Sequence, residues 1–419
     1  MFSAIALFDA NYLGGRLRRY KRSFRKRKNR LKRKLLLKII DLSHIILWDL
    51  YQIPWQVLRD IAHKFARYAG DIGLLFFQFP RLPAHKLTGA NYSIIFVGNK
   101  SHLLQLRNLF FKDGFSQEKM GQIAFWKLSA QTKQWLAQGE DLVVCQLSRL
   151  YPGRPSSSVT FTIPCLVEQF IPIPNQFEKV IAGKKFRHVR ASLNRAERAG
   201  FNYKFSRSLP DFNYFYYDMY LPFIKSKHGD LAAITPYEIQ RRWFDKGGVL
   251  LINQYDKPVA GALCRIANDT FFLIELGVLG TDTEIIQLGF YNVITWYALT
   301  LAREKGAKIF SMGGTRGLCS YPSFISKRRW GARVSRHREI YPTWTFLASD
   351  MSTVLQSHLN KARMITEING NFYRIFVTGD INSIAPRDVD NEVTMAKKEG
   401  LDGVMMVSSN SKLIINNNS

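Results

Sequence analysis

The chain has 419 residues, 46% of them hydrophobic and 13% aromatic, enough for two ordinary domains that fold without disulfides. Its four cysteines, Cys145, Cys165, Cys264 and Cys319, form no CxxC pair, and its eight histidines form no HExxH or His/Cys cluster, so neither a redox framework nor a metal site is expected. The formal charge is +28 and is unevenly spread.

Between Arg16 and Lys38 there are 14 Lys or Arg and no acid. This stretch reads as a basic helical arm. An apolar helix over 35–50 follows, then another over 55–69 after Pro54, so that residues 1–80 make a basic helical extension. Clustered cations beside apolar residues suit an anionic membrane surface, and the same charges suit nucleic-acid phosphate. The adjoining apolar helix favours the membrane. No signal peptide is expected, because the apolar start is short and precedes the basic block. No transmembrane helix is expected either. The best run, Leu35 to Leu58, is interrupted by Lys38, Asp41, His44, Asp49 and Pro54. A cytoplasmic protein, peripheral at the inner face of the membrane, fits these features.

Pro80 and Pro83 read as a loop. Tyr92 to Gly98 reads as a buried strand, 101–112 as a helix, Asp141 to Leu147 as a second strand, and Val159 to Ile171 as a further extended segment. Residues 90–175 thus form a small α/β module. A second module, 177–345, opens with a basic helix from Phe186 to Gly200, ended by the glycine. An aromatic helix over Asp211 to Lys227 follows, broken at Pro222, then a helix from Thr235 to Lys246. Strands are expected at Gly248 to Asn253, Val259 to Ala267 and Thr270 to Leu279, the last two joined through Asn268 and Asp269. A long helix from Gln287 to Lys305 leads to a strand at Lys308 to Met312 and a loop at Gly313-Gly314. Residues 346–399 read as a helix and strand extension, and 400–419 as a disordered tail. The fold class is α/β (α+β) with mixed central sheets.

The order hairpin, strand, long helix, strand, Gly-Gly loop resembles the acetyltransferase (GNAT) core. KKFRHVRASLNRAERAGF (184–201) and KGAKIFSMGGTRG (305–317) resemble segments of FemABX-like aminoacyl transferases and related acetyltransferases. SKRRWGARV (326–334) resembles their FKxxFG-type signature, with Ser326 and Trp330 where Phe is usual. The resemblance implies tandem GNAT-like modules, the first degenerate and the second catalytic. It implies an acyltransferase moving an acyl group from acetyl-CoA or another acyl-CoA to an amine or hydroxyl of a small or cell-envelope precursor acceptor, with no tightly bound cofactor. An aminoacyl-tRNA-dependent bridge-forming transferase is the alternative, although no helical arm is inserted between 200 and 250. A non-catalytic nucleic-acid- or membrane-binding protein on the same fold is the third reading.

Glu275 lies in an otherwise apolar strand, where desolvation makes a carboxylate a stronger base; it also suits a partner for an arginine. Gly313 and Gly314, with Arg316, suit an anion pocket, because glycine-rich turns expose amide N–H groups. The resemblance implies further roles. Lys327 would lie near substrate phosphate or the reacting carbonyl, and Tyr291 would protonate the leaving group. Gln287 and Gly289 would begin the helix that binds donor phosphate, although the second small residue of that loop is missing. Arg187 and Arg190, with Arg328, would bind substrate phosphate. Each also has a plainer reading as a packed tyrosine, a helix-start glycine or a solvated cation.

Overall fold

The computed structural model describes residues 81–111, 114–147, 154–229, 232, 234–280, 286, 289–337, 342–409 and 411–416. The basic arm at 16–38, the helices expected over 35–50 and 55–69, Pro80 and Gln287 lie outside the described residues. Among the described residues no helix is long and apolar enough to cross a membrane.

The mixed α/β class expected from the sequence is what the described residues form. The first sheet begins with an antiparallel hairpin, β1 (Arg81–Thr88) and β2 (Ser93–Val97). Pro83, expected in a loop, lies inside β1, next to a register shift at Ala84/His85. Helix α1 (Lys100–Phe110) follows, then β3 (Ser116–Ala124) against β1, α2 (Leu128–Ala137), and β4 (Leu142–Leu147) parallel to β2.

The module boundary differs from the sequence reading. β5 (Val159–Pro164) and β6 (Leu166–Pro172) are separated only by Cys165, yet β5 belongs to the first sheet and β6 to the second. Conversely β13 (Thr343–Ala348), which follows the second module, inserts antiparallel between β4 and β5. Each sheet is therefore completed by a strand from the other half of the sequence.

The second sheet runs in the order β12 (Arg333–Arg336), β6, β11 (Ile309–Arg316), β10 (Thr270–Val278), β9 (Lys257–Ala267), β8 (Gly247–Gln254), β7 (Phe201–Ser206). Because side chains alternate along a strand, β8 sends Leu250 and Ile252 to one face and Val249 and Leu251 to the other. The first face packs against α3 (Arg187–Arg198) and α7 (Phe290–Glu304) through Val189, Ala196, Val293 and Ala298. The second packs against α4 (Leu209–Tyr214) and α6 (Tyr237–Asp245) through Phe212 and Phe244.

Helix α4 runs into a π-helical segment, Phe215–Tyr220, and on into α5 (Leu221–His228). Pro222 does not break the helix as expected. It donates no backbone hydrogen bond and its ring crowds the carbonyl four residues back, and the wide π turn just before it absorbs both effects. The turn packs tightly on β10. A Cβ at Gly277 would lie 2.6 Å from the Tyr220 amide nitrogen and 2.7 Å from the Met219 carbonyl carbon.

A third, four-stranded sheet lies in the C-terminal part: β14 (Ile365–Ile368), β15 (Asn371–Val377), β16 (Gly403–Val407) and β17 (Lys412–Asn416). With α10 (Pro386–Lys398) one of its faces packs on α8 (Pro322–Arg328) and β12, through Phe324 and Val334 against Phe372, Ala396 and Met406, while α9 (Thr353–Ala362) joins its other face to the core of the first sheet through Leu355 and Leu359. The tail expected to be disordered from 400 onward thus contributes two strands. Five consecutive buried residues at Gly403–Val407 pair with β15, and β17 covers their outer edge.

His102 ties α1 to β13 of the first sheet. Its Nδ1 accepts a hydrogen bond from Trp344 Nε1 on β13 at 3.1 Å. Burial, with the nearby Arg316 guanidinium adding to it, pushes the imidazole down to about 4.

Two outcomes follow from this packing. Gly277→Ala meets rigid backbone rather than a yielding side chain, so urea unfolding should show a loss of about 1–3 kcal/mol. His102 binds its proton less well folded than unfolded. Stability should therefore be complete above the unfolded value near 6.5 and fall as pH drops from there to about 4, by roughly 3 kcal/mol, and His102→Gln should flatten that slope.

Candidate active site

The chain β10–α7–β11 is a parallel strand pair joined through a helix, and its strands pair over three residues only. Thr270, Phe271 and Phe272 face Ile309, Phe310 and Ser311. Beyond that point β10 stays with β9 as far as Val278, and β11 stays with β6 as far as Arg316. Both strands are irregular where they part: β10 shifts register between Leu273 and Glu275, and β11 between Ser311 and Gly314. Gly313 takes a φ of 76°, open to glycine at little cost. The result is an opening in the sheet whose two walls are strand edges without each other as hydrogen-bond partner. Backbone groups in such a place look for a ligand or water. The crossover also brings the N-terminus of α7 to the carboxyl end of β10, the usual ligand side of a parallel pair.

Glu275 occupies the bulge at this opening and is half-buried. Its Oε1 accepts a hydrogen bond from Thr235 Oγ1 at 2.8 Å. The same threonine donates its amide to the Tyr220 phenol oxygen at 2.9 Å, and its carbonyl accepts from Tyr216 at 3.2 Å. Burial, then the charge of Glu275, push the Tyr220 phenol up to about 12. The π segment and the start of α6 thereby fix the carboxylate. Sequence reasoning singled out Glu275 but missed this support, because Thr235-Pro236 reads only as a helix start.

On the other wall, Lys327 donates to the carbonyl oxygens of Gly313 at 2.9 Å and Gly314 at 2.8 Å. The lysine and the Gly-Gly turn are thus one unit. A Cβ at Gly314 would lie 2.5 Å from His337 Nε2, so a side chain there would have to displace that imidazole. Beneath it Ser311 Oγ donates to the buried Glu168 carboxylate of β6 and accepts from the Gly313 amide at 3.2 Å. Nothing in the sequence marked the Ser311–Glu168 pair, since its partners are 143 positions apart.

At the start of α7, Gly289 has a φ of 90°, and a Cβ there would lie 2.6 Å from Ser192 Oγ. The glycine is thus required by close packing on α3, which Asn292 ties at the same serine through Nδ2 at 3.0 Å. No side chain caps this helix, and its first amides have no partner within it. Tyr291, in the first turn, accepts a hydrogen bond from Lys227 Nζ, whose ammonium also sits 4.9 Å from the centre of the Tyr291 ring.

The structure disperses the other expected site residues. Arg190 is spent on the chain before its own helix, donating to the carbonyls of Ile181 at 2.6 Å and Gly183 at 2.9 Å. Arg187 is exposed on the first turn of α3. Arg328 turns away from the opening toward the C-terminal sheet. Its Nη1 lies 3.6 Å from the fully buried Glu399 carboxylate, which Arg363 also approaches at 3.2 Å. Arg316 lies at the far end of β11, close enough to influence His102. The anion pocket expected from Gly313, Gly314 and Arg316 is therefore not assembled around the arginine. Glu275, Gly313, Gly314 and Lys327 flank the opening, and Gly289 and Tyr291 lie at the start of the helix that follows β10.

No protein-family model matches the chain, and no curated protein matches it. Solved structures similar to it include L-PGS from Bacillus licheniformis, at 13% identity over 68% of this chain and 87% of that chain, with a TM-score of 0.32. Another is FemX, at 11% identity over 67% of this chain and 90% of that chain, with a TM-score of 0.31. A third is a GCN5-related N-acetyltransferase from Kribbella flavida, at 16% identity over 64% of this chain and 87% of that chain, with a TM-score of 0.23.

Proposed function

We propose that the opening between β10 and β11 is the active site of an acyltransferase, which moves an acyl group from a thioester or ester donor to an amine or hydroxyl. The observation that carries this reading is the pairing of two features. A sheet that parts after three residues offers backbone donors and acceptors to an acyl group, and a supported carboxylate, Glu275, stands at the point of parting.

In this reading the acceptor nitrogen or oxygen attacks the acyl carbon and gives its proton to Glu275. Negative charge develops on the acyl oxygen, where backbone N–H groups freed by the parting of the strands stabilise it. The bond from the acyl carbon to the leaving sulfur or oxygen then breaks, and the leaving atom takes the Tyr291 phenolic proton. The Lys227 ammonium on that phenol offsets the charge it acquires. Lys327 acts by holding the carbonyls of Gly313 and Gly314, and so the shape of the wall, rather than by touching the reacting atoms.

Acyl-CoA is the donor we favour, with its phosphates toward the N-terminus of α7. One observation favours an aminoacyl-tRNA instead. The first turn of α7 carries Phe290 and Tyr291 where a second small residue would let phosphate approach, and a chain of +28 charge suits RNA. The acceptor is a small molecule or an envelope precursor, reached at an anionic membrane surface through residues 16–38.

Calorimetry with acetyl-CoA, a longer acyl-CoA and aminoacyl-tRNA separates the donors; binding of RNA alone would overturn the favoured one. With the productive donor, Glu275→Gln should slow transfer about 100-fold or more with KM little changed. Lys327→Ala, which loosens the wall, should raise KM and lower kcat together. Full rates in both variants would refute the site.

A further inference from the structure

Beside Glu275, three tyrosines meet. The Tyr216 and Tyr217 rings are 5.1 Å apart at 85°, Tyr216 and Tyr237 are 5.2 Å apart at 88°, and Tyr217 and Tyr237 are 5.7 Å apart at 20°. Adjacent residues of an α-helix point about 100° apart, and two in a row seldom reach one neighbour. Here Tyr216 and Tyr217 both reach Tyr237, because they lie in the wide π turn.

Two of the three hydroxyls are turned to the protein: Tyr216 donates to the Thr235 carbonyl, and Tyr237 donates to Asn213 Oδ1 at 2.8 Å. Tyr217 is 54% exposed. The next residue after Tyr237, Glu238, is exposed in the first turn of α6. Burial raises the Tyr216 phenol, and the charges of Tyr217, Glu238 and Glu275 add to that rise. In a chain of +28 charge this is a place rich in π-electron density and carboxylate.

Ring faces beside carboxylates attract organic cations. The nitrogen that is acylated does not need such a place, since it must be uncharged to attack. The ring wall and Glu238 suit a nitrogen that keeps its charge. Glu275 is joined to buried Tyr216 through Thr235, and the exposed Tyr217 packs edge-on against Tyr216, so an attacking nitrogen at Glu275 and a charged nitrogen at the rings would belong to one elongated molecule. We propose that Tyr217, Tyr237 and Glu238 form a subsite for an alkylammonium group of the acceptor, which makes the acceptor a molecule with two cationic nitrogens, such as a linear diamine or polyamine. The subsite as a cation-binding place stands by itself; its use by the acceptor rests on the acyl-transfer reading.

Two measurements on the full chain test this. Calorimetry with tetramethylammonium should show binding that weakens roughly threefold to tenfold in Tyr217→Ala and in Glu238→Gln, and that Tyr217→Phe retains. In the transfer assay, the ratio of kcat/KM for 1,8-diaminooctane over octylamine should exceed one and fall several-fold in the first two variants. Equal tetramethylammonium binding by wild type and Tyr217→Ala overturns the subsite. A diamine ratio of one overturns its role in acceptor choice. If neither amine is acylated while tetramethylammonium binding still depends on Tyr217, the transfer reading fails and the subsite is upheld.

Discussion

A parallel pair of strands normally stays together over its length, because each backbone group that leaves the ladder must find another partner. In this protein β10 and β11 keep only three residue pairs and then separate, each held by the strand on its other side. The bulge at Leu273/Glu275 and the bulge at Ser311/Gly314 are the local cost of that separation. The residues we assign to acyl transfer flank this opening: Glu275 on one edge, the Gly313-Gly314 turn with Lys327 on the other, and the start of α7 at the end where the strands diverge.

An opening of this kind closes or slides unless its walls are held from outside. The β10 wall is held by the π segment, which comes so close that only glycine fits at 277, and by the Thr235 bridge to Glu275. The β11 wall is held by β6 and by α8. Helix α8 is in turn fixed by the C-terminal sheet, through Phe324 and through Arg328 at the buried Glu399. A buried carboxylate left without its arginines is costly, about 3–5 kcal/mol when a pair is broken, so this joint is stiff. The exchange of β6 and β13 between the two larger sheets adds a second restraint. Neither sheet completes itself without the other half of the chain, and His102 holds the inserted strand β13 through Trp344. The C-terminal strands thus belong to the support of the site.

What could be read from the sequence follows from how local its causes are. The hairpins β8–β9–β10, helix α7 and β11 were legible because alternation, the Asn268-Asp269 turn and the glycines at 289 and 306 act within a few residues. Strand β1 was hidden by Pro83, and β16 and β17 by the polar end of the chain, since β16 is held by pairing with β15 some thirty positions earlier and β17 by pairing with β16. The strand exchange was not legible at all: β5 and β6 read as one extended segment, and only long-range packing divides them. The site shows the same division. Glu275 stood out as a charge in an apolar strand, Gly313 and Gly314 as a glycine turn in the 305–317 segment, and Lys327 within the 326–334 segment that follows. Arg316 and Arg328 were drawn into the site by their places in those two segments, yet a strand's length and a helix end carry them elsewhere. Thr235, Tyr216 and Tyr220 could not be linked to Glu275, because a 40-residue separation and a π turn bring them together.

The central claim is that the parted edges of β10 and β11 receive the acyl donor. Amide hydrogen exchange with and without the donor that binds tests it most directly, because the backbone groups in question report for themselves. The account predicts slower exchange on donor binding over residues 274–278 and 312–316, with the first turn of α7 protected as well. Protection confined to the first sheet, or to the C-terminal sheet, with those two segments unchanged, would contradict it.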